Sequence, residues 1–130
     1  MILSYRYDPS YNPPMPIIPI SLISVADDQS MTESINAIVD SGADGTLIPT
    51  EYLHQIHAPA VRKAFMKGIS GERRSVDIYL ISIQIGSVKL RGVRVIASPS
   101  SEAILGRNVL NQLVIGLNGP AETVELHIGM

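Results

Sequence analysis

Two carboxylates and a hydroxyl group lie close together in one short polar stretch, residues 40–46, which reads Asp-Ser-Gly-Ala-Asp-Gly-Thr. The apolar run Ala-Ile-Val leads into Asp40, and this run predicts a buried strand. Because an unpaired carboxylate is costly to bury, Asp40 needs a turn or a polar partner directly after the strand. Gly42 permits such a turn and a close approach to a ligand, and the Ser41 hydroxyl can donate a hydrogen bond.

A purely structural interpretation of this stretch is a strand-turn-strand hairpin in which Asp40 and Asp44 are ordinary turn residues. The longer string favours a catalytic loop. Residues 40–46, with Ile-Val before them and Leu-Ile-Pro after them, resemble the active-site loop of the retroviral-type aspartic proteases, the retropepsin-like family. That family usually has Asp-Thr-Gly, and Ser41 retains the hydroxyl group of the threonine.

A second motif strengthens the resemblance. Residues 103–113 begin as an apolar strand, break at Gly106 and continue with apolar residues at helical spacing. A generic strand-to-helix junction also has this pattern. Retroviral proteases carry a similar Ile-Leu-Gly-Arg-Asn segment in this position, so two motifs occur in the family's order. The resemblance covers roughly residues 16–117.

Between the two motifs, residues 65–80 predict a hairpin whose tip is the glycine-rich segment Gly68, Ile69, Ser70 and Gly71. A plain surface hairpin is the alternative. The resemblance implies a flap that closes over the substrate, and the glycines would make its tip mobile.

The resemblance also implies a role for each residue of the first motif. Asp40 would be the catalytic carboxylate, and Ser41 would belong to a hydroxyl network that locks two active-site loops together. Gly42 would contact the substrate through its backbone. Ala43 would lie beside the substrate pocket. Gly45 departs from the second aspartate of some retroviral enzymes.

Further residues take roles in substrate binding and support. Asp44 would bind the substrate backbone and form a bidentate pair with Arg107. Ile104 would line a specificity pocket. The flap-tip residues at 68–71 would cover the bound substrate.

Composition bounds the architecture. With 130 residues, 45% of them hydrophobic, the chain can form one domain with a substantial core. Repeated β-branched runs predict a domain built mainly of strands. The resemblance implies an all-β, single-domain retropepsin-like fold with a flap hairpin and one or two short helices, active as a symmetric homodimer. Residues 17–130 would form this domain. Residues 1–16, rich in tyrosine and proline, would form an N-terminal arm that packs on its own domain or on a neighbouring subunit; a proline-rich recognition ligand is the alternative.

Other local signals place smaller elements. Pro49 suits the first position of a short helix that continues to about residue 56. Residues 114–128 predict a terminal hairpin with one apolar face, which the resemblance links to dimer closure. His54 and His57 have no third ligand nearby and predict no metal site.

The remaining expectations concern partners and location. A net charge of −2, with 17% charged residues, shows no footprint of nucleic-acid or membrane binding. The absence of cysteine excludes disulfides and thiolate chemistry. We expect a soluble, cytoplasmic protein that needs no cofactor and no metal.

Two functions follow from these features. Peptide hydrolysis by carboxylates needs one group to deprotonate water and another to donate to the carbonyl oxygen. The chain has one Asp-Ser-Gly, so an enzyme of this type must take the second Asp40 from a symmetric partner. The first hypothesis is a homodimeric aspartic endopeptidase acting on extended peptides. The alternative is a non-catalytic retropepsin-like module for peptide binding or dimerisation.

Overall fold

The computed structural model describes residues 1–129, which form ten strands and two short helices. Strands make up 53% of the chain and helices 8%, which confirms the all-β prediction. The strands are β1 (Ile2–Arg6), β2 (Ile17–Ile23), β3 (Ile35–Val39), β4 (Leu47–Pro49), β5 (Ala60–Lys67), β6 (Arg73–Ile85), β7 (Val88–Ser98), β8 (Ala103–Leu105), β9 (Val114–Asn118) and β10 (Thr123–His127). The helices are α1 (Thr50–Gln55) and α2 (Arg107–Leu110). Neither is long and apolar enough to cross a membrane.

Seven strands form the main sheet, in the order β2-β3-β8-β4-β7-β6-β5. The first half of β2 pairs with β3, and its last residues pair with β6. Strand β2 therefore joins two separate parts of the sheet and closes it around the core. Alternate residues point into this core, as the period of two in a strand requires, and Ile18, Ile20, Ile81 and Ile83 are almost fully buried.

The centre of the sheet brings the two sequence motifs together. Strands β3 and β8 run parallel, with Ile38 opposite Ile104 and Val39 opposite Leu105. Residues 40–46 and 106–110 consequently leave the sheet at the same edge. This parallel pairing is the structural basis of the candidate site.

Helix α1 begins one residue later than the sequence predicts. Pro49 pairs with Ser98 as the last residue of β4 and precedes the helix, whereas the sequence placed it at the first helical position. Its extended backbone, with ψ at 133°, explains the difference.

The remaining three strands form a second sheet in the order β1-β10-β9. Strands β9 and β10 form the predicted terminal hairpin. The start of the predicted N-terminal arm is strand β1, which pairs with β10 and packs Leu3 and Tyr5 against the core. The arm thus contacts its own domain. The domain boundary between residues 16 and 17 stays a prediction.

Candidate active site

Asp40 continues the edge of β3 into the polar loop. Its backbone N–H donates to the carbonyl oxygen of Leu105 at 3.1 Å, so the pairing with β8 extends to Asp40. The loop then turns sharply, because the Gly42 N–H donates to Oδ1 of Asp40 at 2.9 Å and the Ala43 N–H donates to the Asp40 carbonyl at 3.2 Å. One oxygen of a half-buried carboxylate is thereby oriented by the backbone, and Ser41 and Gly42 are exposed beside it.

The backbone of the second motif touches this loop directly. Gly106 lies so close to it that an added Cβ atom would be 2.2 Å from the carbonyl oxygen of Gly45. The next residue, Arg107, donates its N–H to the carbonyl oxygen of Ala43 at 2.8 Å. Only glycine permits so close an approach, since any side chain at 106 would overlap the loop.

Arg107 supports the loop through a contact other than the predicted one. Its guanidinium donates to the carbonyl oxygen of Ser41 at 2.8 Å, and none of the ion pairs among residues 1–129 involves Asp44. The prediction of a bidentate Asp44–Arg107 pair is therefore wrong for the described chain. Both side chains are exposed, where an ion pair adds little stability, so nothing forces Arg107 toward Asp44, and its guanidinium bonds the Ser41 carbonyl instead.

Two further residues lock the motifs together, and the sequence analysis did not identify them. Thr46 is fully buried, and its hydroxyl accepts from the Gly106 N–H at 3.0 Å and donates to Oδ1 of Asn108 at 2.7 Å. The Asn108 amide in turn donates to the Arg94 carbonyl at 2.9 Å. A threonine between apolar residues is the available signal, because its buried hydroxyl must find partners.

An apolar face of the sheet extends from the carboxylate. Alternation along β3 places Ile38 on the same face as Asp40, and the strand register places Ile104 and Leu47 next to Ile38 on that face. All three apolar side chains are half-buried. Ile104 therefore shares one face with Asp40, Ile38 and Leu47, and its role in a specificity pocket stays a prediction.

Strands β5 and β6 form the predicted hairpin, paired up to Lys67 and Arg73. The tip is closed by its own backbone, since the Gly68 N–H donates to the Glu72 carbonyl at 2.8 Å and the Gly71 N–H donates to the Gly68 carbonyl at 3.0 Å. Gly71 has a φ of 89°, a conformation that favours glycine.

The side chains of the tip are open to solvent. Ile69 is fully exposed. The Ser70 hydroxyl donates to the Glu72 carboxylate and holds the pKa of that carboxyl below its ordinary value. The hydrogen bonds found for the tip are internal to it, so in this conformation they do not tie it to the Asp40 loop.

The hairpin borders an open cavity. Met66, Arg74 and Val76 of the hairpin line a cavity of about 280 Å³ together with Ser98 and Pro99. No cluster of three or more histidine, cysteine or acidic side chains that could hold a metal ion occurs within residues 1–129.

Three solved structures share the fold of this chain. The retropepsin-like aspartic protease from Rickettsia conorii matches with a TM-score of 0.65 at 11% identity, covering 97% of this chain and 91% of that one. The EIAV protease in complex with the inhibitor HBY-793 matches with a TM-score of 0.55 at 19% identity, covering 75% of this chain and 86% of that one. The retroviral protease-like domain of Ddi1 from Leishmania major matches with a TM-score of 0.53 at 13% identity, covering 88% of this chain and 94% of that one.

Sequence comparison points the same way. No curated protein matches the chain. The family described as gag-polyprotein putative aspartyl protease matches residues 31–112, which is more than half of the chain and includes the Asp40 loop, the hairpin and the Gly106 turn. With both motifs inside the match and the retropepsin-like fold around them, this chain belongs to the retropepsin-like aspartic protease family.

Proposed function

We propose that this protein is an aspartic endopeptidase that works as a symmetric homodimer and hydrolyses peptide bonds in extended substrates. The observation that carries the proposal is the position of Asp40. It follows a buried strand, one carboxylate oxygen accepts the Gly42 N–H, and the loop beside it is exposed. A second loop of the same kind, related by a twofold axis, would complete the pair of acids.

The chemistry follows from two close carboxylates that share one proton. The ionised carboxylate takes a proton from water while the protonated one donates to the substrate carbonyl oxygen, which gives a tetrahedral intermediate. Return of a proton to the amide nitrogen breaks the C–N bond. Two carboxylates close enough to share a proton cannot both be ionised cheaply, so the pair loses its protons in two steps. The cleavage rate should therefore have a bell-shaped dependence on pH, with an optimum on the acidic side of neutrality.

Exposed apolar residues of the second sheet support the dimer. Its edge strands are β1 and β9, whose outer hydrogen-bonding groups have no neighbouring strand among the described residues. Ile2, Val114 and Leu117 are 53%, 64% and 55% exposed on these edges. Unpaired edges with apolar side chains are typical pairing surfaces between chains.

The hairpin tip takes the role of a flap in this proposal. The flap-tip residues Gly68, Ile69, Ser70 and Gly71 would cover the peptide. Gly42 and Asp44 would contact its backbone from below, and Ala43 would lie beside the substrate pocket. Ile69 supports this role, because its fully exposed side chain at the tip is free to contact a bound peptide. Arg107 would keep the loop in place through the Ser41 carbonyl.

The test compares the native protein with Asp40→Asn in a peptide-library cleavage assay, with sedimentation on the same samples. We expect cleavage by the native protein only, and a rate per chain that falls as the dimer dissociates on dilution. Asn is close in size to Asp, so the variant should remain folded. Undiminished cleavage by Asp40→Asn would refute the role of Asp40, a fully active monomer would refute the shared pair, and peptide binding without cleavage would favour the non-catalytic module.

A further inference from the structure

The N-terminal arm reaches across the chain to a loop beside the candidate cleft. The Tyr11 hydroxyl donates to Oε2 of Glu102, a residue 91 positions later in the sequence. The turn that carries Tyr11 is itself fixed, because Asp8 and Met15 exchange two backbone hydrogen bonds of 2.8 and 3.0 Å. The base of the arm is fixed as well, since the Val39 N–H, one residue before Asp40, donates to the Pro16 carbonyl at 3.0 Å.

Glu102 lies on the same side of the sheet as Asp40. It directly precedes β8, and alternation places it on the face of Ile104, which is opposite Ile38 and continuous with Asp40. The strand register puts Glu102 about four residues from the level of Asp40, roughly 13 Å along the strand. In an extended substrate peptide bound at Asp40, a long side chain on a residue one to three positions from the scissile bond can reach Glu102 over that distance.

The charge at this end of the cleft is negative. Glu102 is exposed, and both it and Asp8 raise the pKa of the Tyr11 hydroxyl, the larger effect being the hydrogen bond to Glu102. No ion pair among residues 1–129 involves Glu102.

The Glu102 carboxylate retains capacity for a ligand. An ionised carboxylate offers about four acceptor positions on two oxygens, and the Tyr11 hydroxyl uses one of them on Oε2. A positively charged group is the ligand that such an exposed, oriented carboxylate favours.

We propose that Glu102 is a specificity-determining residue that selects a lysine or arginine side chain of the substrate, and that Tyr11 is a positioning residue that holds the Glu102 carboxylate at the edge of the cleft. The inference rests on the proposed protease function and deepens it. It makes the N-terminal arm part of the substrate-binding wall, next to the apolar contact supplied by Ile104.

The test uses matched peptide pairs that differ only in carrying lysine or glutamine at each position within three residues of the cleaved bond. Assays near pH 6 keep exposed carboxylates charged. An exposed ion pair predicts that kcat/KM favours lysine by about two- to fivefold at one or more of these positions, and that added salt reduces the preference. Glu102→Gln should abolish the preference and Glu102→Lys should reverse it toward a glutamate peptide.

Tyr11→Phe keeps the ring and removes the hydroxyl, so it should reduce the ratio of kcat/KM for the lysine peptide to that for its glutamine partner. A purely structural role of Tyr11 would change both peptides alike. Glu33→Gln is the control, because Glu33 is an exposed acid outside the cleft and the variant should keep the full preference.

The outcomes separate this inference from the proposed function. Cleavage with no lysine preference, or a preference that survives in Glu102→Gln, overturns the role of Glu102 and leaves the protease assignment intact. If no peptide is cleaved, the proposed function fails, and the binding of the same peptides, measured by fluorescence anisotropy, tests the inference. Tighter binding of the lysine peptide than of the glutamine peptide, lost in Glu102→Gln, supports the inference. Equal binding of the two peptides overturns it.

Discussion

Replacing Gly106 with alanine tests the contact that joins the two motifs. The new Cβ would lie 2.2 Å from the carbonyl oxygen of Gly45 and 3.0 Å from that of Ala43. Ordinary contact between carbon and oxygen requires about 3.4 Å, so the backbones must separate by about 1 Å. The φ of Gly106 is −91°, which alanine adopts without strain, and the effect therefore measures the contact alone.

The magnitude follows from what resists this separation. Overpacking a close contact costs about 1–3 kcal/mol, and here both partners are backbone, which cannot rotate away. Moving them apart also weakens the Gly106 N–H bond to Thr46 at 3.0 Å and the Arg107 N–H bond to Ala43 at 2.8 Å, each worth about 1 kcal/mol. We expect a loss of roughly 3 kcal/mol in the free energy of unfolding, or about 10 °C in Tm for a domain of this size.

Urea unfolding measures the loss, and peptide cleavage by the folded fraction measures its effect on the Asp40 loop. Gly119→Ala is the matched control, because an added Cβ in this turn between β9 and β10 has no heavy atom within 4 Å and should change stability by less than about 0.5 kcal/mol. A Gly106→Ala protein with native stability and native turnover would refute the close approach of the two motifs.

Three further predictions address other parts of the site. Thr46→Val leaves the buried Gly106 N–H without its acceptor, so urea unfolding should show a loss of about 1–3 kcal/mol and the turnover per folded molecule should fall. Thr32→Val is the control, because it removes the acceptor of the buried Leu22 N–H, away from the site, and should reduce stability alone. Gly71→Val, at a φ of 89°, should lower turnover far more than Tm, because the strain falls on the exposed hairpin tip; parallel losses would indicate an ordinary turn. The hydrogen bond to Glu102 raises the pKa of Tyr11, so the stability from this contact is present below the ordinary tyrosine pKa of about 10 and is lost as pH rises through the raised pKa. Tyrosinate absorbance should show a lower pKa of Tyr11 in Glu102→Gln than in the native protein.

The sequence predicted the parts of the site that depend on local chemistry. Glycines at 42, 68, 71 and 106 mark turns whose backbone conformation or close approach is a local property, so the loop, the hairpin and the strand-to-helix break were all identifiable. Helical and strand periods placed α2 and the terminal hairpin for the same reason.

Contacts between distant segments were not predictable in this way. The Thr46 hydroxyl finds Gly106 and Asn108 only because β3 and β8 lie side by side, and no local pattern specifies that pairing. The predicted Asp44–Arg107 pair failed because the family pattern fixed the residue types but not the direction of the guanidinium, which reaches the Ser41 carbonyl instead.

The way the loop is held explains how so little sequence identity accompanies a shared fold. Most contacts between the two motifs use main-chain atoms: the Leu105, Ala43 and Ser41 carbonyls accept the bonds, and Gly106 touches Gly45 through its backbone. Main-chain groups are present whatever the side chain, so substitutions around them leave the geometry unchanged. Only a few positions must keep their chemistry, namely a glycine where backbones touch and a buried hydroxyl that bridges them. Identities of 11–19% with the matched structures are therefore compatible with a shared fold.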